Sequence, residues 1–433
     1  MLNLLPATLR FLLGSILWLD FSQPPAVLPA RTPLSFQLRH EHALTNDSRV
    51  IFSNVDPSFA ADSFVMSTSN IQTHKPQSAK AFHSARLRSI RYDQSEQVLW
   101  DTADILGPDV EERETLLTLA KMTSNAYTSS TASDWYTPEG WNKSIPFGWE
   151  PDADGIRGHI FVSDDNSTVV LSIKGTSAGW ITGGGGPTVR RDKLNDNLLF
   201  SCCCARVGPS WSTVCDCHQG GSKCDQECLE RSLMGESLYY SVGVNLYNNV
   251  TYLYPHANIW LIGHSLGGSL ASLIGVTFGA PVVAFEAPSE KLAATRLHLP
   301  SPVSASLRHN HSQIPISRMT IQPSTQHITH VFHTADPIPM GTCTGMTSSC
   351  GLAGYAMETR CHLGKVIRYD TVTHLGWSVD VRTHSIVQII DRLLSEDWTQ
   401  EGQDGRTVPE AKADDEDCVD CFNWEFGSFK GLT

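Results

Sequence analysis

The feature that most constrains this chain is a serine flanked by glycines, Gly263-His264-Ser265-Leu266-Gly267, at the junction of two apolar segments. Asn258 to Ile262 is typical of a short buried strand, and Leu266 to Phe278 of a helix that ends before Gly279. A serine on a sharp strand-to-helix turn takes strained dihedrals, and glycine neighbours allow the bend. The helix N-terminus then directs N–H groups towards a developing oxyanion. The pattern therefore indicates a nucleophilic Ser265 rather than a passive turn.

Apolar strands and amphipathic helices alternate on both sides of this turn, which predicts an α/β domain with a mainly parallel sheet. No internal repeat is present. The segments that carry the prediction are strands at 169–173, 281–285 and 331–334, and helices at 110–127, 233–247 and 385–394.

A nucleophilic serine needs a carboxylate and a histidine, which follow the serine in the chain in this type of domain. Asp336 directly follows the strand at 331–334, so it stands at a carboxyl end, where open α/β sheets bind ligands. Asp370 after 365–369 is the alternative acid, and a simple turn before Pro337 is the alternative role for Asp336.

Two histidines compete for the role of base. His384 stands just before the last amphipathic helix, where a loop can carry it over the edge of the sheet, and we favour it over His374. His264 adjoins the nucleophile but points elsewhere on the tight turn, so we expect it to pack.

The oxyanion of an acyl-transfer intermediate needs two donors. One is expected to be the N–H of Leu266 and the other that of Thr176, in the loop after the strand at 169–173. The glycine loop at 183–186 is a second candidate, although a hinge explains it equally well.

Twelve cysteines are typical of an oxidising compartment. The spacing of the cluster at 202–228 matches no zinc finger, so we predict disulfides, no metal and no organic cofactor. Adjacent cysteines do not readily pair, so the triplet at 202–204 is expected to bind three distant partners, with Cys343, Cys350 and Cys361 as candidates. Five glycosylation sequons also favour passage through a secretory lumen: Asn46, Asn142, Asn166, Asn249 and Asn310.

The N-terminus, Leu2 to Phe21, is long and apolar enough for a spanning helix or for a signal peptide, and its residues leave both open. The residues divide the chain into an apolar N-terminal segment at 1–22, a stem at 23–90, a catalytic domain at 91–397 and an acidic tail at 398–433 that we expect to be disordered apart from Cys418 and Cys421. Lysine and arginine number 32 against 45 acids, a net charge of −13, which argues against a nucleic-acid partner.

Three stretches of this sequence resemble a known protein family. The stretch IWLIGHSLGGSLAS at 259–272 resembles the class 3 lipase signature. The stretches DKLNDNLLFSCCCARVGPSWSTVCDC at 192–217 and GYAMETRCH at 354–362 are narrower, and resemble the fungal autophagy-related vacuolar lipases. The resemblance covers roughly residues 80 to 395. A polar stretch at 300–330 departs from it as an insert, and the tail is short.

The resemblance implies an α/β-hydrolase fold with a disulfide-rich insert, and Ser265, Asp336 and His384 as catalytic residues. It also implies that residues 1–22 are a signal anchor rather than a cleaved peptide, and that 23–90 is a lumenal stem. The protein would then be a single-pass type II membrane protein that passes from the endoplasmic reticulum through endosomal multivesicular bodies to the vacuole. Its partners would be membrane lipids, phospholipid and phosphoinositide among them, in the lysis of autophagic bodies. Acyl transfer to an alcohol and a catalytically inactive lipid-binding glycoprotein are the rival functions.

Overall fold

The serine motif lies at the centre of a ten-stranded sheet, because the strand that leads into it is apolar on both faces. In this strand, β9 (Asn258–His264), Trp260 and Ile262 belong to the hydrophobic core on one side of the sheet. Leu261, between them, belongs to the core on the other side. Burial of both faces is the rule for parallel strands covered by helices, so β9 is a central strand.

The computed structural model describes residues 34–44, 49–54, 64–92, 97–128, 133–136, 155–163, 166–177, 187–208, 211–235, 238–302, 325–396, 398, 407–414 and 417–429. They lie within the compact unit Pro33–Thr433. Within them no helix has both the length and the apolar character needed to cross a bilayer, and the predicted anchor, Leu2 to Phe21, lies outside them.

The other strands are β1 (Leu34–Leu44), β2 (Val50–Asn54), β3 (Phe64–Met66), β4 (Thr68–Pro76), β5 (Trp100–Pro108), β6 (Arg157–Ser163), β7 (Thr168–Ile173), β8 (Lys223–Asp225), β10 (Val282–Phe285), β11 (Ile328–His333), β12 (Lys365–Tyr369), β13 (Lys412–Ala413) and β14 (Glu425–Gly427). The α-helices are α1 (Ala79–Tyr92), α2 (Arg113–Asn125), α3 (Val189–Phe200), α4 (Gln226–Ser232), α5 (Tyr239–Leu253), α6 (Leu266–Phe278), α7 (Lys291–Arg296), α8 (Ser349–Ala353), α9 (Thr371–Leu375) and α10 (Ile386–Ile389). A 3₁₀ turn (Val381–His384) precedes α10, and a π-helical turn (Ile390–Leu394) continues it.

The strand order of the main sheet is β13-β12-β11-β10-β9-β7-β6-β1-β2, and β3 pairs with β1. The strands from β12 to β7 are parallel, whereas β6, β1, β2 and β13 pair antiparallel. Parallel strands place their carboxyl ends at one edge, so the residues after β9, β10 and β11 meet there. This mainly parallel sheet with flanking helices confirms the predicted α/β-hydrolase fold.

The helices predicted at 110–127 and 266–278 form, and the second has the predicted bounds. Gly279 ends it in the left-handed conformation, φ 66°, which glycine adopts without strain. The helix predicted at 233–247 instead runs six residues later, over Tyr239–Leu253. The last predicted helix divides into α10 and the π-helical turn.

The prediction of a stem at 23–90 is wrong for its described part. Strand β1 pairs antiparallel with β6 of the main sheet, with Leu38 opposite Phe161, and β4 pairs along its whole length with β5. Their hydrogen-bond partners lie far along the chain, so a mixed polar sequence gave no local sign of pairing. The folded domain therefore begins well before residue 91.

The prediction of a disordered tail at 398–433 is also wrong for its described residues. Strand β14 pairs with β8, and β13 closes one edge of the main sheet. Two disulfides, Cys202–Cys421 and Cys361–Cys418, tie this segment to the domain. These disulfides stabilise a segment whose acidic and polar composition alone predicts disorder.

All twelve cysteines form disulfides, as predicted, but the predicted partners of the triplet are wrong. Cys343 pairs with Cys350, and Cys361 with Cys418, so none of these is available to the triplet. The six disulfides are Cys202–Cys421, Cys203–Cys224, Cys204–Cys215, Cys217–Cys228, Cys343–Cys350 and Cys361–Cys418.

Candidate active site

Ser265 sits on a strained turn between β9 and α6. Its φ of 55° and ψ of −132° are rare for a residue with a side chain, and its N–H donates to the Phe285 carbonyl at 3.0 Å. A β-carbon at Gly267 would lie 2.2 Å from the Ile173 carbonyl oxygen, so only glycine fits there. Gly267 therefore allows the close approach to β7 that the turn at Ser265 requires.

A chain of hydrogen bonds joins Ser265 to His384 and Asp336. The serine hydroxyl donates to Nε2 of His384 at 2.9 Å, and Nδ1 of His384 donates to Oδ2 of Asp336 at 2.6 Å. All three side chains are buried. The geometry is that of a nucleophile, a base and a carboxylate that orients the base.

Local hydrogen bonds fix the acid. The other oxygen of Asp336 accepts from the N–H of Ile338 at 2.9 Å, and the Thr383 hydroxyl donates to the Ala335 carbonyl at 3.0 Å. The second bond ties the loop of the histidine to that of the acid. Burial alone would raise the pKa of Asp336, but the His384 imidazole and its hydrogen bond outweigh burial and hold that pKa below its usual value.

Glu286 lies behind the acid. It follows β10 and is fully buried, and the backbone N–H of His333 and the Asp336 carboxyl are its polar neighbours. Its neighbour is the Asp336 carboxylate, so the two can hydrogen-bond only if one of them carries a proton. Burial, followed by the charge of Asp336, raises the pKa of Glu286 well above its usual value, so Glu286 is the protonated partner.

His264 supports the base rather than reacting. Its Nε2 donates to the backbone carbonyl of His384 at 2.7 Å, and its Nδ1 accepts from the Tyr127 hydroxyl at 2.7 Å. Burial, and then the neighbouring His384, lowers the pKa of His264 to about 3, so it is neutral at physiological pH. Sequence reasoning placed it correctly as a packing residue but missed this contact.

The loop after β7 passes beside the nucleophile. A β-carbon at Gly175 would lie 3.0 Å from Cβ of Ser265. The Thr176 hydroxyl donates to Asp196 at 2.6 Å, and the Ser177 N–H donates to Asp192 at 2.9 Å. The two acids lie on α3, so this helix anchors the loop. The Leu266 N–H opens α6 on the other side of the serine.

The alternative acid and base, Asp370 and His374, are not part of the hydrogen-bond chain at Ser265. Asp370 caps α9 through the Thr373 N–H at 3.1 Å, and His374 Nε2 lies 4.0 Å from it, on the exposed surface. The glycine loop at 183–186 lies outside the described residues. Of the sequons, Asn166 and Asn249 are exposed, whereas Asn46, Asn142 and Asn310 also lie outside the described residues.

A second buried cluster consists of Glu290, His330 and His362, whose potential ligand atoms lie within 4.8 Å of one another. Oxygen Oε1 of Glu290 accepts from His330 Nε2 at 3.0 Å, from the Leu363 N–H at 3.4 Å and from the Ser272 hydroxyl. The other oxygen, Oε2, lies 3.8 Å from Nδ1 of His362, so the cluster is a buried network of one carboxylate and two imidazoles.

The charges of this cluster depend on one another. Burial alone would raise the pKa of Glu290, but the His330 and His362 imidazoles outweigh burial and hold it at about 2. Burial would lower the pKa of His362, but the Glu290 carboxylate raises it above its usual value. His362 also contacts the Pro339 carbonyl through Nε2 at 2.9 Å.

Comparison with known proteins places this site in a family. The family model "Lipase (class 3)" matches residues 210–344. A protein of Cryptococcus neoformans var. neoformans named "Putative lipase ATG15" is 48% identical over 385 residues, which cover 76% of this chain and 70% of that protein. The chain belongs to the ATG15 lipase family. A family member from Saccharomyces cerevisiae is 46% identical over 339 residues, covering 77% of this chain and 60% of that protein.

Membership in this family makes the chain a lipase-type hydrolase. Among solved structures, the Lip2 lipase of Yarrowia lipolytica is 14% identical, with a TM-score of 0.28 over 57% of this chain and 76% of that one. The serine motif and Asp336 fall inside the segment that the class 3 lipase model matches, and His384 follows it.

Proposed function

We propose that this protein is a serine ester hydrolase that cleaves acyl esters of membrane lipids, with Ser265, His384 and Asp336 as its catalytic triad. The observation that carries the proposal is the unbroken hydrogen-bond chain from the Ser265 hydroxyl through His384 to Asp336, at the carboxyl edge of the sheet. The family supports the chemistry, and the side chains suffice for it without a metal or organic cofactor.

In acylation, Oγ of Ser265 bonds to the ester carbonyl carbon while His384 Nε2 takes the hydroxyl proton. The tetrahedral intermediate then expels the alcohol, which leaves with that proton. Water next attacks the acyl-enzyme, again through His384, and releases the fatty acid and the serine. Asp336 holds Nδ1–H of the imidazole and stabilises the imidazolium.

The N–H groups of Leu266 and Thr176 would stabilise the oxyanion. Leu266 opens α6, so its N–H adds the helix dipole to the hydrogen bond. The bond from the Thr176 hydroxyl to Asp196 fixes the loop that carries the second donor. Burial raises the pKa of Asp196 well above its usual value, which limits the negative charge beside the developing oxyanion.

The setting of the activity is part of the same proposal. Leu2 to Phe21 would serve as an uncleaved anchor, with the catalytic domain on the lumenal side and glycans on the five sequons. Six disulfides fit an oxidising lumen. The enzyme would travel through the endoplasmic reticulum and multivesicular bodies to the vacuole and break up the membranes of autophagic bodies.

The test is hydrolysis of a lipid panel by the full-length chain and by its Ser265→Ala variant. Vesicles of phosphatidylcholine, phosphatidylserine or phosphoinositide, and emulsions of triacylglycerol, would be assayed from pH 4 to 8 for released fatty acid. The proposal expects release from at least one lipid and none with the variant. Ester formation with an added alcohol at the expense of hydrolysis would indicate acyl transfer, and no turnover of any lipid would contradict the proposal.

A further inference from the structure

A cavity of about 900 Å³ lies away from the triad. Helices α1 and α5, the antiparallel pair β4–β5 and the segment after α6 surround it. Its volume falls within the range of sites that enclose small ligands, about 300–1,000 Å³.

The cavity and the nucleophile lie at opposite edges of the sheet. The cavity is lined by Asn258 and Ile259, where β9 begins, and by Phe278, where α6 ends. Ser265 stands where β9 ends and α6 begins. A helix of 13 residues is about 20 Å long, so this cavity is separate from the ester-cleaving site.

Arg86 is the decisive residue of the lining. It is only 7% exposed; its Nε donates to the Leu297 carbonyl at 2.7 Å and its Nη2 to the Met234 sulfur at 3.4 Å, which leaves Nη1 without an acceptor among the described residues. The guanidinium lies 5.0 Å from the centroid of the Tyr240 ring. Among the described residues no carboxylate pairs with it, and burial lowers its pKa from the usual value. A buried cation without a counter-ion is costly, so an anion that entered the cavity would be stabilised there.

The other charged side chain of the lining has the same sign. Lys75 also lines the cavity, and the lining contains no aspartate or glutamate. Asp101 pairs with Lys75 in the β4–β5 register, but it does not line the cavity and accepts a hydrogen bond from Gln77 at 2.6 Å. The cavity is therefore cationic.

The rest of the lining suits an acyl chain. Phe82, Ile105, Val244 and Phe278 contribute apolar surface, and Phe278 stacks on Tyr247 with ring centroids 4.1 Å apart. A pocket that combines apolar walls with one buried cation fixes an amphiphilic ligand by its charged head.

We propose that this cavity binds an anionic single-chain amphiphile, with its carboxylate or phosphate on Arg86 and its acyl chain along the apolar walls. A free fatty acid and a lysophospholipid with a phosphate monoester share this chemistry. The site is distinct from the triad, and its existence does not depend on ester hydrolysis at Ser265.

The test is photo-crosslinking of the purified full-length chain with a palmitate analogue that carries a diazirine on its acyl chain. The active site is first blocked with a serine-reactive phosphonate, or emptied of its nucleophile by Ser265→Ala, so that labelling there can be recognised. Peptide mass spectrometry then locates the adducts. We expect them on α1 and α5, with unlabelled palmitate competing at least tenfold better than hexadecanol, which lacks the charge.

Three variants make the test specific. Arg86→Met should reduce labelling of α1 and α5 about tenfold or more, whereas Arg91→Met, on the exposed surface of the same helix, should leave it unchanged. Because Arg86 also bonds to Leu297, Ser241→Trp provides a second variant that fills the cavity and keeps the arginine; it should reduce labelling as strongly.

The competition and labelling results either support the proposed lipid site or overturn it. Stronger competition by lysophosphatidate than by palmitate would support the site and identify a phosphate head, and the reverse would identify a carboxylate head. Equal competition by hexadecanol, undiminished labelling of both Arg86→Met and Ser241→Trp, or adducts only near Ser265 would overturn the proposal. Failure of Ser265 to react with the phosphonate would instead count against the triad alone.

Discussion

The substitution Glu290→Gln should destabilise the folded protein strongly in weak acid, although Glu290 takes no part in the proposed chemistry. The carboxylate is fully buried and accepts hydrogen bonds from His330 Nε2 at 3.0 Å, from Leu363 N at 3.4 Å and from the Ser272 hydroxyl. Glutamine keeps the shape and one acceptor but removes the carboxylate charge that raises the pKa of the buried His362 imidazole.

Two estimates give the size of the effect. A fall in the Glu290 pKa from 4.5 to about 2 on folding corresponds to about 3 kcal/mol of folding free energy. Removal of one partner from a buried ion pair costs about 3–5 kcal/mol. We therefore expect a loss of about 3 kcal/mol in the free energy of unfolding.

The pH dependence has a defined sign. The depressed pKa of Glu290 gives stability that is present above its unfolded value of 4.5 and is lost as the pH falls towards 2. The raised pKa of His362 gives stability that is present below its unfolded value of 6.5 and is lost as the pH rises through the folded value. The difference between wild type and variant should therefore be largest between about pH 4.5 and 6.5.

Urea unfolding of both proteins from pH 3 to 9, with disulfides intact, measures this difference. Glu227→Gln is the control, because that carboxylate pairs with Arg231 on the surface of α4 and should change stability by less than about 0.5 kcal/mol. A loss below about 1 kcal/mol at pH 5.5, or a difference that does not change with pH, would show that the Glu290 charge does not stabilise the fold.

Three further predictions concern the site and the disulfides. Asp336→Asn should lower kcat by about 10⁴ without unfolding the protein, because the carboxylate that orients His384 is lost. His374→Ala should leave kcat unchanged, and a loss of activity in His374→Ala would contradict the assignment of His384 as the base. In Glu286→Gln the side chain cannot ionise beside Asp336, so activity should extend to higher pH. The variant should also be more stable than wild type above about pH 5, because the raised pKa of Glu286 costs folding free energy there. pH–rate profiles and urea unfolding would check both results, and superimposable curves would count against a protonated Glu286. Replacement of Cys202 and Cys421 by serine should cost about 2–5 kcal/mol and expose the tail to limited proteolysis, and an equally protected tail would show that β14 and Cys361–Cys418 suffice.

Much of the catalytic centre could be predicted because its signals are local. The turn around Ser265 needs glycine on both sides, and the strand and helix that flank it have the correct periods. Asp336 and His384 follow from chain order and from their positions at element boundaries. Their contact across 48 residues could not be read from the sequence, and only the fold brings them together.

The missed features all depend on long-range partners. Strand β1 is defined by its pairing with β6, and the tail by disulfides to Cys202 and Cys361. Glu286 was only one of several acids downstream of the serine, and nothing local distinguishes a protonated buried carboxyl from a surface one. Arg86 gave no signal either, since its importance lies in the absence of a carboxylate around a cavity built from distant segments.

Mapping of the covalent adduct shows which serine of this chain is the nucleophile. The full-length chain is treated with a fluorophosphonate, digested, and analysed by mass spectrometry alongside Ser265→Ala and His384→Ala. If Ser265 is the nucleophile and His384 its base, one adduct forms, on Ser265, with none on the first variant and a rate of labelling reduced at least 100-fold on the second. An adduct on another serine, or lipid hydrolysis that persists in Ser265→Ala, would contradict this assignment.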